Sequence, residues 1–304
     1  METKFDYKNL ANLTNEQARE MIEKIRWADG IFCPHCGTIG EYYKLTPKEG
    51  SKRPVREGVY KCKACRKQFT VTVGTIFEGS HIKLGKWLAV IHLMCASKKG
   101  VSAHQIHRMF GITYKSAWFM LHRIRHAMGM DEPQDKLNGT VEADETYIGG
   151  KRRGKRGRGS ENKSIVFSLV ERDGKVRSQK VQNVTGKNLK GIIKKNVTEQ
   201  STIMTDDFRS YKGLDNDFQN HHIINHSSKV YVNGNIHTNT IEGFFSLLKR
   251  GVNGIFHHIS EQHLNLYLNE FDFRYNNRKV SDIERTLLAI AGIEGKRLMY
   301  RDSF

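Results

Sequence analysis

The chain's length and charge narrow its class before any motif is considered. Its 304 residues carry 50 Lys and Arg against 32 Asp and Glu, a formal net charge of +18, and this excess favours polyanionic partners. Among polyanionic partners nucleic acid is the first expectation, although a ribosomal or membrane-surface protein could have the same excess of basic residues. The most apolar stretch, 87–96, is half the length that a membrane span needs, and the first ten residues contain no apolar core. The composition therefore predicts a soluble cytoplasmic protein without a membrane partner, associated with the nucleoid if bacterial.

The first 79 residues predict a short helical lead-in, 1–30, and a zinc ribbon, 31–79. In the lead-in, Thr14 is a natural N-cap and Gln17 could complete a capping box. The ribbon segment contains two CxxC pairs, and two such knuckles close a tetrahedral Zn²⁺ site. Thiols that served only as small buried hydrophobes would have no reason to repeat as pairs. The predicted ligands of a structural zinc ion are Cys33, Cys36, Cys62 and Cys65.

Residues 80–130 predict a helix-turn-helix. The runs VSAHQIHRMF and YKSAWFMLHRIRHAM flank a turn at Gly111, and both place apolar residues at steps of three and four. In a helix-turn-helix the second helix enters the major groove with its N-terminal residues nearest the bases. An ordinary helical hairpin with a solvated basic face is the alternative, but the net charge and the adjacent ribbon favour DNA. The residues predicted to face DNA are Lys115, Ser116, His122 and Arg123.

Residues 136–280 predict an α/β domain with a mixed sheet. Three strand-like runs, TVEADETYIG, SIVFSLVER and VRSQKVQN, precede a helix, the short strand STIMT and two further helices. The basic tract 151–160 would contact DNA phosphates without reading sequence, although a solvated turn explains any one of its residues almost as well. Its leading cations are Lys151, Arg152 and Arg153. Residues 281–304 are predicted to be a C-terminal extension.

Acidic residues stand at three separate places in this predicted domain. Asp144 lies inside a strand-like run, Asp206 and Asp207 end the run STIMT, and Glu242 lies in a helix with an apolar stripe. Taken singly, Asp206 could be a turn residue or a helix cap, and Glu242 could lie on a solvated helix surface. Asp144 is harder to explain in this way, because a charge within a strand is costly without a partner or a metal. Three carboxylates brought together would repel, and divalent cations such as Mg²⁺ relieve that repulsion. Two such ions can activate water or a 3′-hydroxyl in phosphoryl transfer.

At these acids the sequence resembles the bacterial insertion-sequence DDE transposases, in particular the ISXO-like group that joins a zinc ribbon to an integrase-type, RNase H-like domain. The matching motifs are VEADETYIGGK at 141–151, TDDFRSY at 205–211, HTNTIEGFFSLLKRG at 237–251 and YLNEFDFRYNNR at 267–278. The resemblance covers about residues 30–280. It implies an α/β, RNase H-like fold with Mg²⁺ (or Mn²⁺) at three catalytic acids.

The resemblance also assigns roles to single residues. It implies Asp144, Asp206 and Glu242 as the catalytic acids, and Lys249, two helical turns after Glu242, as a basic residue that faces DNA. Two alternatives remain open at this stage. Asp207 stands beside Asp206 where a small residue is common, and Asn239 lies close to Glu242, where some relatives use Asn.

The implied function is metal-dependent cleavage and strand transfer of double-stranded DNA, at terminal inverted repeats and target sites, by a homo-oligomer. No GxxxxGK[ST] run is present and no GxGxxG follows a strand, so ATP- and NAD-driven chemistry is unsupported. The alternative is a non-enzymatic zinc-ribbon and helix-turn-helix regulator derived from a transposase. The presence of all three acids favours the enzyme, because a regulator has no use for them.

Overall fold

A computed structural model of the chain describes residues 6–46, 50, 55–129, 135–149, 163–224 and 237–303. The chain divides into two compact units. We call Met1–Met128 together with Val280–Phe304 the ribbon unit, and Gly129–Lys279 the sheet unit. Within the described residues, no helix combines the length and the apolar character that crossing a membrane requires.

The ribbon unit begins with two helices and a small antiparallel sheet. Helix α1 (Tyr7–Asn12) is followed by α2 (Asn15–Arg26), and the strands are β1 (Tyr42–Leu45), β2 (Val59–Cys62) and β3 (Gln68–Phe69), in the order β1-β2-β3. The capping box predicted at Thr14 and Gln17 is confirmed. Trp27, which ends α2, packs edge-on against the rings of Tyr60 and Phe69, and this contact joins the lead-in to the ribbon.

Three helices follow the ribbon: α3 (Leu84–Ala96), α4 (Ala103–Phe110) and α5 (Tyr114–Met128). Helix α4 ends at Gly111 in the left-handed region, φ 60°, a conformation that only glycine adopts without strain. The helices and the turn between them are therefore those that the periodicity predicts. Whether α4 and α5 bind DNA as a helix-turn-helix stays a prediction.

The predicted exposure of His122 and Arg123 is wrong, because α5 is buried on every side over its second half. His122 is 0% exposed and Arg123 4% exposed. The Arg123 guanidinium lies 5.4 Å from the ring centroids of Trp87 and Phe119, and its Nη2 donates to the carbonyl oxygen of Glu78. Helical periodicity identifies one apolar face, but it does not reveal that a second element covers the opposite face.

The sheet unit contains a mixed five-stranded sheet. Its strands are β4 (Thr140–Ile148), β5 (Ser164–Glu171), β6 (Val176–Val181), β7 (Thr202–Asp206) and β8 (Asn220–Ile224), with α6 (Gly186–Asn196) between β6 and β7. The order is β6-β5-β4-β7-β8. Strands β4, β5 and β6 pair antiparallel, whereas β7 and β8 run parallel to β4. This sheet confirms the predicted mixed α/β fold class.

Helices cover both faces of the large sheet. Helix α6 packs Leu189 and Ile193 against one face, where Val141 and Ala143 of β4 lie. Helices α7 (Asn239–Gly251) and α8 (Leu264–Asn276) cover the other face and are separated by a π-helical turn at Val252–Phe256. Because side chains alternate along a strand, Glu142 and Asp144 point to the α7 side of β4.

The C-terminal residues form part of the ribbon unit, not an extension that stands apart. Helix α9 (Asp282–Ala291) begins with a capping box between Ser281 and Glu284. Its Thr286 hydroxyl lies 3.0 Å from Nδ1 of His92 on α3, and its Arg285 guanidinium donates to the Cys95 carbonyl oxygen at 2.7 Å. The chain therefore returns to complete the first core after the sheet unit is built.

Candidate functional site

The four paired cysteines of the ribbon converge on one point. Cys33 and Cys36 lie on a turn in which Gly37 has φ 76° and donates its N–H to the Cys33 carbonyl oxygen. Cys62 ends β2, and Cys65 follows in the turn before β3. All four Sγ atoms lie within 4.8 Å of one another. The Cys33–Cys65 and Cys36–Cys62 sulfur distances are both 3.7 Å, close to the separation of about 3.8 Å that a tetrahedral Zn–S length of 2.3 Å requires.

The thiols of this site differ in acidity. Hydrogen bonds from the Thr38 hydroxyl and backbone N–H lower the pKa of Cys36 to about 6, whereas burial raises the pKa of Cys33. Cys36 therefore supplies a thiolate at neutral pH, and thiolates are the form that binds zinc. The geometry and the donor chemistry both fit a structural Zn²⁺.

The register of the large sheet brings two predicted acids to the same level. Strand β4 pairs with β7 as Thr140 with Thr202 and Glu142 with Met204, so the same offset places Asp144 opposite Asp206. Neighbouring strands lie about 4.8 Å apart, and residues opposite each other share a face. Asp144 is half-buried within β4, and Asp206 is the half-buried last residue of β7. Both therefore point to the face that α7 covers.

Glu242 approaches the same face from α7. It lies in the first turn of that helix, with its side chain exposed, and its Oε1 accepts a hydrogen bond of 3.1 Å from the Thr238 hydroxyl. The pKa of Asp144 rises to about 7, first because burial disfavours its charge and then through the carboxylate of Glu145, with further contributions from Asp206 and Glu242. Asp144 thus lies within electrostatic reach of both other predicted catalytic acids, Asp206 and Glu242.

The alternative and supporting residues occupy different positions. Asp207 follows the end of β7 and is exposed, and its N-terminal neighbour Asp206 accepts the backbone N–H of Phe208 at 3.1 Å. Asn239 is the exposed first residue of α7, one turn before Glu242. Lys249 is exposed in the last turn of α7. Lys151, Arg152 and Arg153 fall outside the described residues.

Two partnered groups beside the acids have no predicted role. Glu142, two positions before Asp144, is 0% exposed and pairs with Arg172. Glu145, on the opposite face of β4, accepts a hydrogen bond of 2.7 Å from the hydroxyl of Tyr211. The alternation of side chains along a strand predicts that Glu142 and Glu145 lie on opposite faces of β4. Nothing in the sequence, however, identifies Arg172 or Tyr211 as their partners.

The candidate DNA-facing surface of the ribbon unit is smaller than predicted. Lys115 is exposed, with its Nζ 4.4 Å from the ring centroid of Tyr300, whereas Ser116 is half-buried and its hydroxyl accepts from that of Thr113. The ring centroids of His104 and Tyr114 lie 4.4 Å apart with the planes tilted by 31°, and this contact connects α4 to the start of α5. The exposed residues of this region include His104, Gln105, Arg108, Met109, Tyr114 and Lys115.

A mixed sheet of this order, with acids level on two parallel strands, defines an RNase H-like domain, here accompanied by a four-cysteine ribbon. Residues 136–276 match the model of the ISXO2-like transposase domain, and residues 13–68 match the transposase zinc-ribbon domain. The chain belongs to the family of ISXO2-like transposases.

Two relatives agree with this membership. An uncharacterized protein in transposable element ISH50 of Halobacterium salinarum is 29% identical over 280 residues, which cover 86% of this chain and 91% of the relative. An uncharacterized transposase-like protein of Haemophilus influenzae is 38% identical over 106 residues, which cover 35% of this chain and 85% of the relative.

Proposed function

We propose that this chain is an active DDE transposase, which cleaves DNA at the ends of an insertion sequence and joins the freed ends to target DNA. The observation that carries the proposal is the register of β4 and β7. It sets Asp144 level with Asp206, on the face where α7 holds Glu242. Three catalytic acids that lie on separate elements can bind the same cations only if the fold brings them together in this way.

The donor set suits Mg²⁺ or Mn²⁺. Carboxylate oxygens are the ligands that these hard cations prefer, together with water and phosphate oxygens. Burial, and after it the neighbouring carboxylates, raise the pKa of Asp144, so charging this residue without a cation carries a cost. Cations would remove that cost. When bound, two such ions activate the attacking oxygen and stabilise the leaving oxygen of a phosphodiester.

The protein's own residues hold and orient the reactants. Asp144 and Asp206 would fix the cations from the rigid sheet, and Glu242 would complete the site from the helix. In the first step a water oxygen attacks the phosphorus at the element's end, the bond to the 3′-oxygen breaks, and that oxygen leaves as a 3′-hydroxyl. In the second step this hydroxyl attacks a target phosphodiester and displaces its 3′-oxygen. Neither step needs a nucleophile from the protein.

We infer that the ribbon unit recognises the terminal inverted repeats. Zinc would fix the ribbon, and the N-terminal half of α5, with Lys115 and Ser116, would approach the major groove. Lys249 and the basic tract 151–160 would contact DNA phosphates. The two ends of one element must be processed together, which favours a homo-oligomer on DNA.

Cleavage of a labelled duplex tests the proposal. The duplex carries the DNA that flanks the gene, and cleavage is followed with Mg²⁺ or Mn²⁺. The variants Asp144→Asn, Asp206→Asn and Glu242→Gln should each lower the cleavage rate by more than about a hundredfold, because an amide keeps the shape but removes the charge that holds the cations. DNA binding should persist in all three.

Asp207→Asn is the matched control. It removes one carboxylate from an exposed position next to Asp206, and we expect a change in rate of less than about threefold, in line with a surface substitution. An inactive Asp207→Asn with an active Asp206→Asn would reverse the assignment in β7. Full activity of Glu242→Gln would move the third role to Asn239. Binding without cleavage by the unaltered protein would favour the non-enzymatic regulator.

A further inference from the structure

Glu142 is the most deeply buried acid near the candidate active site, and its hydrogen bonds lead to α7. Its Oε2 accepts the backbone N–H of Ile241 at 2.9 Å, and its Oε1 accepts the hydroxyl of Thr240 at 2.9 Å. Both donors belong to the first turn of α7, whose amides have no partner within the helix. A carboxylate at this end also meets the positive end of the helix dipole. A side chain of β4 therefore caps the helix that carries Glu242.

Arg172, which directly follows β5, binds this carboxylate and two further elements. Its Nε donates to Oε1 of Glu142 at 2.8 Å. Its Nη2 donates to the carbonyl oxygen of His237 at 2.8 Å and lies 2.9 Å from the sulfur of Met204. His237 stands just before α7, and Met204 lies on β7 opposite Glu142.

One guanidinium thus contacts β4, β7 and the residue that precedes the N-cap of α7, and these three elements hold the predicted acids. Glu142 is two residues before Asp144 on β4, and Met204 is two residues before Asp206 on β7. His237 immediately precedes the N-cap of α7, which carries Glu242 in its first turn. A shift of α7 relative to the sheet would break the contacts of Arg172 and those of Glu142 together.

We infer that Arg172 and Glu142 are positioning residues that set the place of Glu242 relative to Asp144 and Asp206. The inference rests on the proposed function, because it assigns these residues a part in assembling that same cation site. Glu142 itself is not a ligand of the cation. It is 0% exposed and both of its oxygens already accept hydrogen bonds, so binding a cation would require it to release the start of α7.

Mn²⁺ binding to the full-length, zinc-loaded chain tests the inference without any DNA reaction. The dissociation constant is measured from the electron paramagnetic resonance signal of free Mn²⁺, for the unaltered chain, Arg172→Lys, Glu242→Gln and the double variant. Lysine keeps the charge but cannot span Glu142, His237 and Met204 together. We expect Arg172→Lys to weaken Mn²⁺ binding by about tenfold, as substitutions behind metal ligands do. The double variant should bind no more weakly than Glu242→Gln alone, because both changes remove the same ligand from its place.

Arg274→Lys is the matched control. Arg274 also forms a buried ion pair in the sheet unit, with Glu270 one turn before it on α8, and the change should lower the melting temperature while leaving Mn²⁺ affinity unchanged. If Arg274→Lys weakened Mn²⁺ binding as much as Arg172→Lys does, general destabilisation would explain both results and the inference would be overturned. If Arg172→Lys fails to fold, Thr240→Val removes one bond to Glu142 and should weaken Mn²⁺ binding by a smaller factor in the same direction.

The outcomes separate this inference from the proposed function. No Mn²⁺ binding by the unaltered chain, or binding that Asp144→Asn leaves unchanged, contradicts the proposed function itself. Binding that Glu242→Gln weakens but Arg172→Lys does not would contradict only the positioning role. The positioning role would also be contradicted if the double variant weakened Mn²⁺ binding by the product of the two single factors, because Arg172 would then act independently of Glu242.

Discussion

The zinc centre of the ribbon unit and the acidic centre of the sheet unit assemble their ligands in different ways. The four thiols come from two tight turns and lie within 4.8 Å of one another. The three acids come from β4, β7 and α7, and only a sheet register and a packed helix bring them together.

The two centres are therefore sensitive to different substitutions. The zinc centre contains its own scaffold, because each CxxC turn holds two ligands whatever the rest of the chain does. The acidic centre depends on contacts outside the ligands themselves, above all those of Glu142 and Arg172 with the start of α7. Damage to the first should unfold a local segment, whereas damage to the second should misplace one ligand in a folded unit.

The largest expected effect is the loss of zinc from Cys62→Ser. A Cys₄ site holds one ion, and structural zinc sites contribute on the order of 10 kcal/mol to folding, so metal analysis should fall from about one zinc per chain to none. Mn²⁺ binding by the sheet unit should persist. Cys95→Ala, which removes a buried thiol of α3 outside the cluster, should keep its zinc. Loss of Mn²⁺ binding along with zinc would show that the two centres are not independent.

Arg123→Ala should destabilise the ribbon unit strongly. The guanidinium is buried between two aromatic rings, so we expect a loss of about 2–3 kcal/mol in the free energy of unfolding. Denaturant unfolding measures it, and zinc content should stay unchanged. An unaltered stability together with lost DNA binding would restore the surface role that the sequence predicted for this residue.

Asp272→Asn should change how the free energy of unfolding of the sheet unit depends on pH. Burial raises the pKa of Asp272 to about 7, from 3.8 for an ordinary Asp. Its Oδ2 accepts the backbone N–H of Ser178 at 2.6 Å, while its shielded Oδ1 accepts no hydrogen bond from the described residues. The folded state therefore holds the proton more tightly, and this stabilisation is complete below about pH 4 and lost as the pH rises to 7.

Asparagine removes that charge, so the excess of the variant's unfolding free energy over that of the unaltered protein should grow by on the order of 2 kcal/mol between pH 5 and pH 8. Urea unfolding at the two pH values measures the difference. Asp173→Asn, at an exposed turn with φ 57°, is the control and should show no such pH dependence. An Asp272→Asn variant that is less stable at pH 8 than at pH 5, relative to the unaltered chain, would contradict the assignment.

Lys115→Ala should have the smallest effect and should concern DNA alone. The side chain is exposed, so stability should change by less than about 0.5 kcal/mol. Affinity for the end sequence should fall a few-fold, and the salt dependence should lose about one counterion. Lys24→Ala removes the same charge from an exposed position of α2 and should leave the affinity unchanged. Equal losses from both variants would show attraction by net charge and not a defined surface.

The sequence predicts these two centres to different degrees for a physical reason. The CxxC spacing and the capping box of Thr14 are local, so neighbouring residues specify them. The α/β class follows from the succession of strand and helix types along the chain. The partners of Glu142 are not local: Arg172 lies 30 residues away and Ile241 lies 99. No periodicity reports such contacts.

The same limit explains the error at α5. Its pattern correctly indicated a buried apolar face, but His122 and Arg123 are buried because the surrounding elements of the ribbon unit enclose the helix. The return of residues 280–304, with α9, to the ribbon unit is likewise not indicated by any local sequence pattern. Both the burial of these two residues and the place of α9 are set by contacts between elements that are distant in the sequence.

The anomalous scattering of Mn²⁺ in crystals of the full-length chain would locate the cation site itself. We expect manganese density within bonding distance, about 2.2 Å, of Asp144 and Asp206, with Glu242 completing the site and with the Glu142–Arg172 pair intact. Zinc density should appear separately at the four cysteines. Manganese bound by Asp207 or Glu142, or no manganese at Asp144 at saturating concentration, would contradict the proposed cation site.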